Sequence, residues 1–78
     1  MVTPDSIQSS IQDNLSCDFV EVTGDGHHFE ALIVSAAFRG LGPVARHRLV
    51  YAALGERMRE EIHALSMTTK TPEEHARP

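Results

Sequence analysis

Residues 18–34, DFVEVTGDGHHFEALIV, place two β-branched segments on either side of Gly24-Asp25-Gly26, and this arrangement limits the folds open to the chain. Val20 and Val22 alternate with Phe19 and Glu21 in the first segment, and the glycine-aspartate turn that follows is a hairpin signal. The return segment, HFEALIVSAAF, puts Leu32 and Val34 on one face and Phe29, Ala31 and Ile33 on the other. A strand that is apolar on both faces belongs inside a sheet, so a third strand must pair with its free edge. IHALSMTT, residues 62–69, supplies it.

The remaining segments have helical character. Thr3 followed by Pro4 opens a first helix, because the threonine hydroxyl accepts an otherwise unpaired N-H and proline has none to lose. Ile7, Ile11 and Leu15 then recur every four residues as a narrow apolar stripe. Pro43 after Gly42 opens the longest helix, PVARHRLVYAALGERMREE, with Val50, Leu54 and Met58 at the same spacing and Gly55 loosening it about midway. Thr71, Pro72 and Glu74 form a capping box for a last helix of about one turn. The predicted order is αββαβα: an α+β fold with a three-stranded mixed sheet and helices on one face.

At 78 residues the chain fits a single domain, 1–78, that buries roughly 60% of its unfolded surface. Cys17 is the only cysteine, which removes an internal disulfide framework and suits a reducing compartment, cytoplasmic or an organelle matrix. The longest apolar run, ALIVSAAF, is too short to span a bilayer, and no leader for export is expected. The net charge of -4 is unevenly distributed. Residues 1–38 carry Asp5, Asp13, Asp18, Glu21, Asp25 and Glu30 without a Lys or Arg, whereas residues 39–59 carry Arg39, Arg46, Arg48, Arg57 and Arg59 against Glu56, a local balance of 5 - 1 = +4.

GDGHHFEALIVSAAFRGLGPVARHRLVYAAL followed by IHALSMTTKTPEE resembles the BolA-like family from about Ile7 to Glu74, most specifically in FRG, RHRLVY, IHAL and TPEE, taken in that order. The resemblance implies a class II KH-like fold, in agreement with the element order. It also implies a non-enzymatic accessory protein that pairs with a monothiol glutaredoxin and shares a [2Fe-2S] cluster with it and with glutathione, in iron-sulfur trafficking or iron sensing. In some bacterial members it implies DNA binding and transcriptional regulation linked to stress and cell morphology. The free chain is then a monomer or weak homodimer without a membrane partner. His75 stands where family members often carry Trp, and Gly40 and Gly42 are separated by one residue where RNA-binding KH domains carry GxxG.

Residue by residue, the resemblance places a cluster-ligating histidine at His63 and a second, more variable ligand at His28, aligned on Phe29, with His27 the lesser candidate. Successive strand residues point to opposite faces, so His27 and His28 are not expected to serve one metal together. Two imidazoles leave a [2Fe-2S] cluster two short of its usual four protein ligands, which requires a partner to supply the rest. Taken apart from the resemblance, His63 reads as a polar residue at a sheet edge and His27 as an exposed loop residue.

Cys17 is read as a small buried hydrophobe outside the site. Arg39, Arg46, His47 and Arg48, around the start of the second helix, are the candidates for phosphate contacts in the DNA alternative, against the plainer reading of a solvated or protein-docking face. No catalytic constellation appears: the chain has no HExxH and no glycine-rich phosphate loop.

Overall fold

The computed structural model describes residues 2–60, 62 and 64–77. Helix α1 spans Pro4–Asn14, followed by strands β1 (Phe19–Gly24) and β2 (His28–Val34), helices α2 (Pro43–Leu54) and α3 (Arg57–Glu60), strand β3 (Ala64–Lys70) and helix α4 (Pro72–Ala76). The sheet has the order β1-β2-β3. β1 and β2 are antiparallel and β2 and β3 parallel, so the return strand is central, as its two apolar faces required.

The pairing register fixes the two sides of the sheet. Val20 and Val22 of β1 share a face with Phe29, Ala31 and Ile33 of β2, and all five are buried. Ile7, Ile11, Val50 and Leu54 from α1 and α2 join them in one core. Burying each such side chain contributes about 1.5 to 3 kcal/mol, which is what holds a chain of this size together. Glu21, Thr23, His28, Glu30, Ser66 and Thr68 lie on the opposite, solvent-exposed side.

Local chemistry explains the element boundaries. The Thr3 hydroxyl accepts the Ser6 N-H and the Ser6 hydroxyl accepts the Thr3 N-H, each at 3.1 Å, closing a capping box at the start of α1. Thr71 and Glu74 do the same for α4, the box read from the sequence.

Strand β3 begins at Ala64 rather than at Ile62, and two boundaries differ from the sequence reading by more than that. The return strand was expected to run on through Phe38, but it ends at Val34. Buried Ser35 stops it: its hydroxyl donates to the Ser16 carbonyl at 2.6 Å and accepts the Ala37 N-H at 3.1 Å, capping a short 3-10 helix, Ala36–Phe38. That turn drives Phe38 into the core, where it is completely buried. The long helix expected over residues 43–60 is broken at Gly55, which takes φ 59°, a left-handed conformation that glycine adopts without strain, and donates its N-H to the Tyr51 carbonyl. The chain restarts as α3, and Arg57 joins it to α1 through the Ser6 carbonyl at 2.8 Å and the Ser10 hydroxyl at 2.6 Å.

Helix α4 is held at the end of the sheet by side chains. Arg39 Nε donates to Glu73 Oε1 at 2.7 Å, Arg46 Nη1 donates to Glu74 Oε1 at 2.8 Å, and the His75 ring stacks on Phe19 with centroids 5.7 Å apart. His75 thus supplies ring packing at the position where the family resemblance implies Trp.

The Glu74 carboxyl, bonded by Arg46 and then by the Thr71 N-H, has its pKa lowered to about 2. A depressed carboxylate contributes stability that is present above its unfolded pKa, roughly 4.3, and is lost as pH falls through the folded value. Glu74→Gln is therefore expected to lower the urea midpoint at pH 7, with the gap from the parent chain closing between about pH 4.5 and pH 2. A gap of constant size across that range would contradict the assignment.

Candidate functional site

The candidate site lies at the hairpin end of the sheet, on its polar side. Gly24 and Phe29 pair across the turn, and Asp25 N-H donates to the His28 carbonyl at 3.2 Å, closing the loop. Gly26 takes φ 98°, the left-handed conformation that a turn this tight requires. Gly24 is small for another reason: a Cβ there would meet the His28 carbonyl oxygen at 2.5 Å and Phe29 Cδ1 at 2.6 Å. Only hydrogen fits between the two strands at that point.

Asp25 organises the loop from within. Its Oδ1 accepts the His28 N-H at 2.8 Å and the His27 N-H at 2.9 Å. Those two donors, His28 foremost, hold its carboxyl below the usual aspartate range. The sequence reading used Asp25 only as a turn former; the Asp-x-His-His spacing was the signal that an aspartate side chain could cap the two following N-H groups.

Beside the loop is an open depression of about 430 Å³ whose wall includes Thr23, Asp25, His28, Glu30, Ala64 and Ser66. His28 is the first residue of β2 and pairs in register with Ala64, the first residue of β3. The structure thus separates the two adjacent histidines: His28 lines the depression, and His27 precedes the strand, exposed and outside that lining. His63, the other expected ligand, lies outside the described residues; Ala64, which follows it in sequence, forms part of the depression. Among the described residues, no group of three or more His, Cys, Asp or Glu side chains is placed to hold a metal ion on its own.

Cys17 is half-buried, its thiol 3.3 Å from the Leu15 carbonyl, and burial, then the nearby Asp18 carboxylate, push its pKa up. A raised pKa favours the protonated thiol over the nucleophilic thiolate.

The residues expected to contact phosphate are divided by the fold. Arg39 is paired with Glu73. Arg46 turns inward, its side chain 14% exposed, bonding the Leu41 carbonyl at 2.8 Å and Glu74, with its guanidinium 5.9 Å from the centre of the Phe38 ring. It is a structural cation, which the sequence could not reveal because its partners lie 5 and 28 residues away. Arg48 is exposed without an ion pair among the described residues, and His47 is half-buried with its ring edge-on to Tyr51. Val44, 65% exposed, and Tyr51 share that side of α2. Much of the local positive charge is therefore engaged within the fold. No helix among the described residues is long and apolar enough to cross a membrane.

A family model described as BolA-like protein matches residues 2–74. The solved structure of a bolA protein homologue from Coxiella burnetii superposes with a TM-score of 0.90 at 49% identity, covering 99% of this chain and 100% of that one. Among curated proteins, the chain is 36% identical over 77 residues to BolA-like protein 1 of Homo sapiens, an alignment covering 86% of this chain and 56% of the relative. It is also 36% identical over 80 residues to the DNA-binding transcriptional regulator BolA of Vibrio cholerae, covering 90% of this chain and 76% of that protein. The chain thus spans little more than half the length of the human relative.

Proposed function

Because the chain belongs to the BolA-like family, we propose that it is a non-enzymatic accessory protein whose hairpin end holds part of a [2Fe-2S] cluster shared with a monothiol glutaredoxin and glutathione. The observation that carries this reading is the register pair His28 with Ala64, which sets the variable ligand position beside the first residue of β3, immediately after His63 in the sequence. His28 and His63 are the residues that would ligate the cluster, and glutaredoxin cysteine and glutathione thiolates would complete the set.

The chemistry of the site fits that role. Each neutral imidazole offers one nitrogen to iron while the other can be oriented by a neighbouring group. Asp25 and Glu30 on the depression wall are acceptors for such an N-H. A cluster bound through imidazoles is more readily released to an acceptor at low pH, since a protonated imidazole cannot ligate.

Anaerobic assembly of the chain with a monothiol glutaredoxin, glutathione, iron and sulfide, followed by visible absorption and circular dichroism, tests the reading. His63→Ala and His28→Ala are each expected to alter the cluster spectrum of the mixed complex and shorten its lifetime by about tenfold or more. Spectra and lifetimes unchanged by both substitutions would overturn it.

DNA binding is a second reading, favoured by the name of the Vibrio relative. With Arg39 and Arg46 engaged by Glu73 and Glu74, it falls chiefly to Arg48 and His47. Salt-dependent retention of a duplex, weakened by Arg48→Ala, is the expected result, and no detectable binding at low salt would remove the reading.

A further inference from the structure

We propose that Asp25 is the positioning residue of the hairpin, fixing the backbone of His28 in its ligating place before any cluster or partner arrives. The inference rests on the reading of His28 as a ligand and extends it to a residue outside the proposed ligand set.

An exposed loop tip is ordinarily the most mobile part of a small domain. His28 is itself exposed, and no hydrogen bond or ring contact among the described residues anchors its imidazole. What holds the residue is its main chain. Its N-H is bonded to Asp25 Oδ1 and its carbonyl accepts the Asp25 N-H, so the two residues clasp each other across the turn, and the same carboxylate oxygen takes the His27 N-H. Behind the turn, Gly24 lets the His28 carbonyl and the Phe29 ring approach more closely than any side chain would permit.

The consequence is energetic. A ligand whose backbone is already ordered loses less conformational freedom when a cluster binds, and the ordering cost avoided appears as longer retention. One carboxylate oxygen holds both N-H groups, and the histidines part where the His28 carbonyl accepts the Asp25 N-H and His28 enters the β2 pairing. His28 is locked as the first residue of β2, while His27 is held outside the strand.

Two variants separate positioning from general support of the hairpin. Asp25→Ala removes the acceptor, whereas Asp25→Asn keeps an oxygen at the Oδ1 position. In the free chain, hydrogen exchange at the His27 and His28 N-H groups is expected to accelerate about tenfold or more in Asp25→Ala relative to Ala31 and Ile33 in the middle of β2, and to stay within about threefold of the parent in Asp25→Asn. In the complex with glutaredoxin and glutathione, the cluster lifetime is expected to fall about tenfold in Asp25→Ala and to be largely restored in Asp25→Asn.

Unchanged exchange at His27 and His28 in Asp25→Ala would overturn the proposal, as would acceleration spread evenly over β1 and β2. Failure of Asp25→Asn to restore either readout would overturn it too. If the parent chain assembles no cluster at all, the ligand reading fails, and the exchange measurement still decides whether Asp25 holds the loop.

Discussion

Gly24→Ala is expected to lower the unfolding free energy by about 3 kcal/mol, a large share of the roughly 5 kcal/mol available to a domain this small. The added Cβ would lie 2.5 Å from a backbone oxygen, the His28 carbonyl, and 2.6 Å from Phe29 Cδ1. Neither neighbour can move cheaply. The carbonyl closes the hairpin by accepting the Asp25 N-H, and Phe29, 2% exposed, is packed into the core. Relief therefore requires β1 and β2 to separate at the end where the candidate site is built. Thermal unfolding followed by far-ultraviolet circular dichroism should show Tm lowered by about 15 °C. A loss below about 0.5 kcal/mol, the ordinary effect of a surface substitution, would show that the close approach is not maintained in solution.

Phe38→Ala is expected to cost more, about 4 kcal/mol, leaving a margin of only about 1 kcal/mol. Had the return strand continued to residue 38, that side chain would have ended an exposed strand terminus, and its truncation would cost little. The Ser35-capped turn instead seats it in the core beneath the Arg46 guanidinium, which is fixed in turn by Glu74 and the Leu41 carbonyl. Removing the ring leaves a cavity and takes away the surface against which Arg46 packs. Phe38→Leu, which refills most of the volume, should recover more than half of the loss. Urea unfolding of the two variants measures the difference, and equal midpoints would place Phe38 outside the core.

These effects fall where tertiary contacts prevail over local pattern. The hairpin, the central place of β2 and the Thr71-Glu74 box were legible because each signal sits within a few residues: alternating β-branched side chains, a Gly-Asp-Gly turn, and a threonine three residues before a glutamate. The end of β2 was not legible, because SAAF continues the apolar run and only the buried bond from Ser35 to the Ser16 carbonyl, 19 residues away, shows why the strand stops. Gly55 was read as a weak point and proved a full break, a difference set by its left-handed backbone. At the candidate site, the family resemblance marked His28, and the structure then separated it from His27. The sequence did not disclose that one aspartate oxygen would hold both backbone N-H groups. It equally could not show that Arg39 and Arg46, which read as part of a basic patch, would be joined to glutamates of a helix more than 25 residues downstream.

The central claim is that this chain supplies imidazole ligands to a cluster whose other ligands come from a partner. It is tested most directly by labelling only this chain with 15N-histidine, assembling it with unlabelled glutaredoxin and glutathione, reducing the cluster and recording pulsed electron paramagnetic resonance. Strong 15N couplings of directly coordinated imidazole, diminished in both His28→Ala and His63→Ala, are the predicted result. A cluster that forms in the complex yet shows no strong 15N coupling would contradict the account.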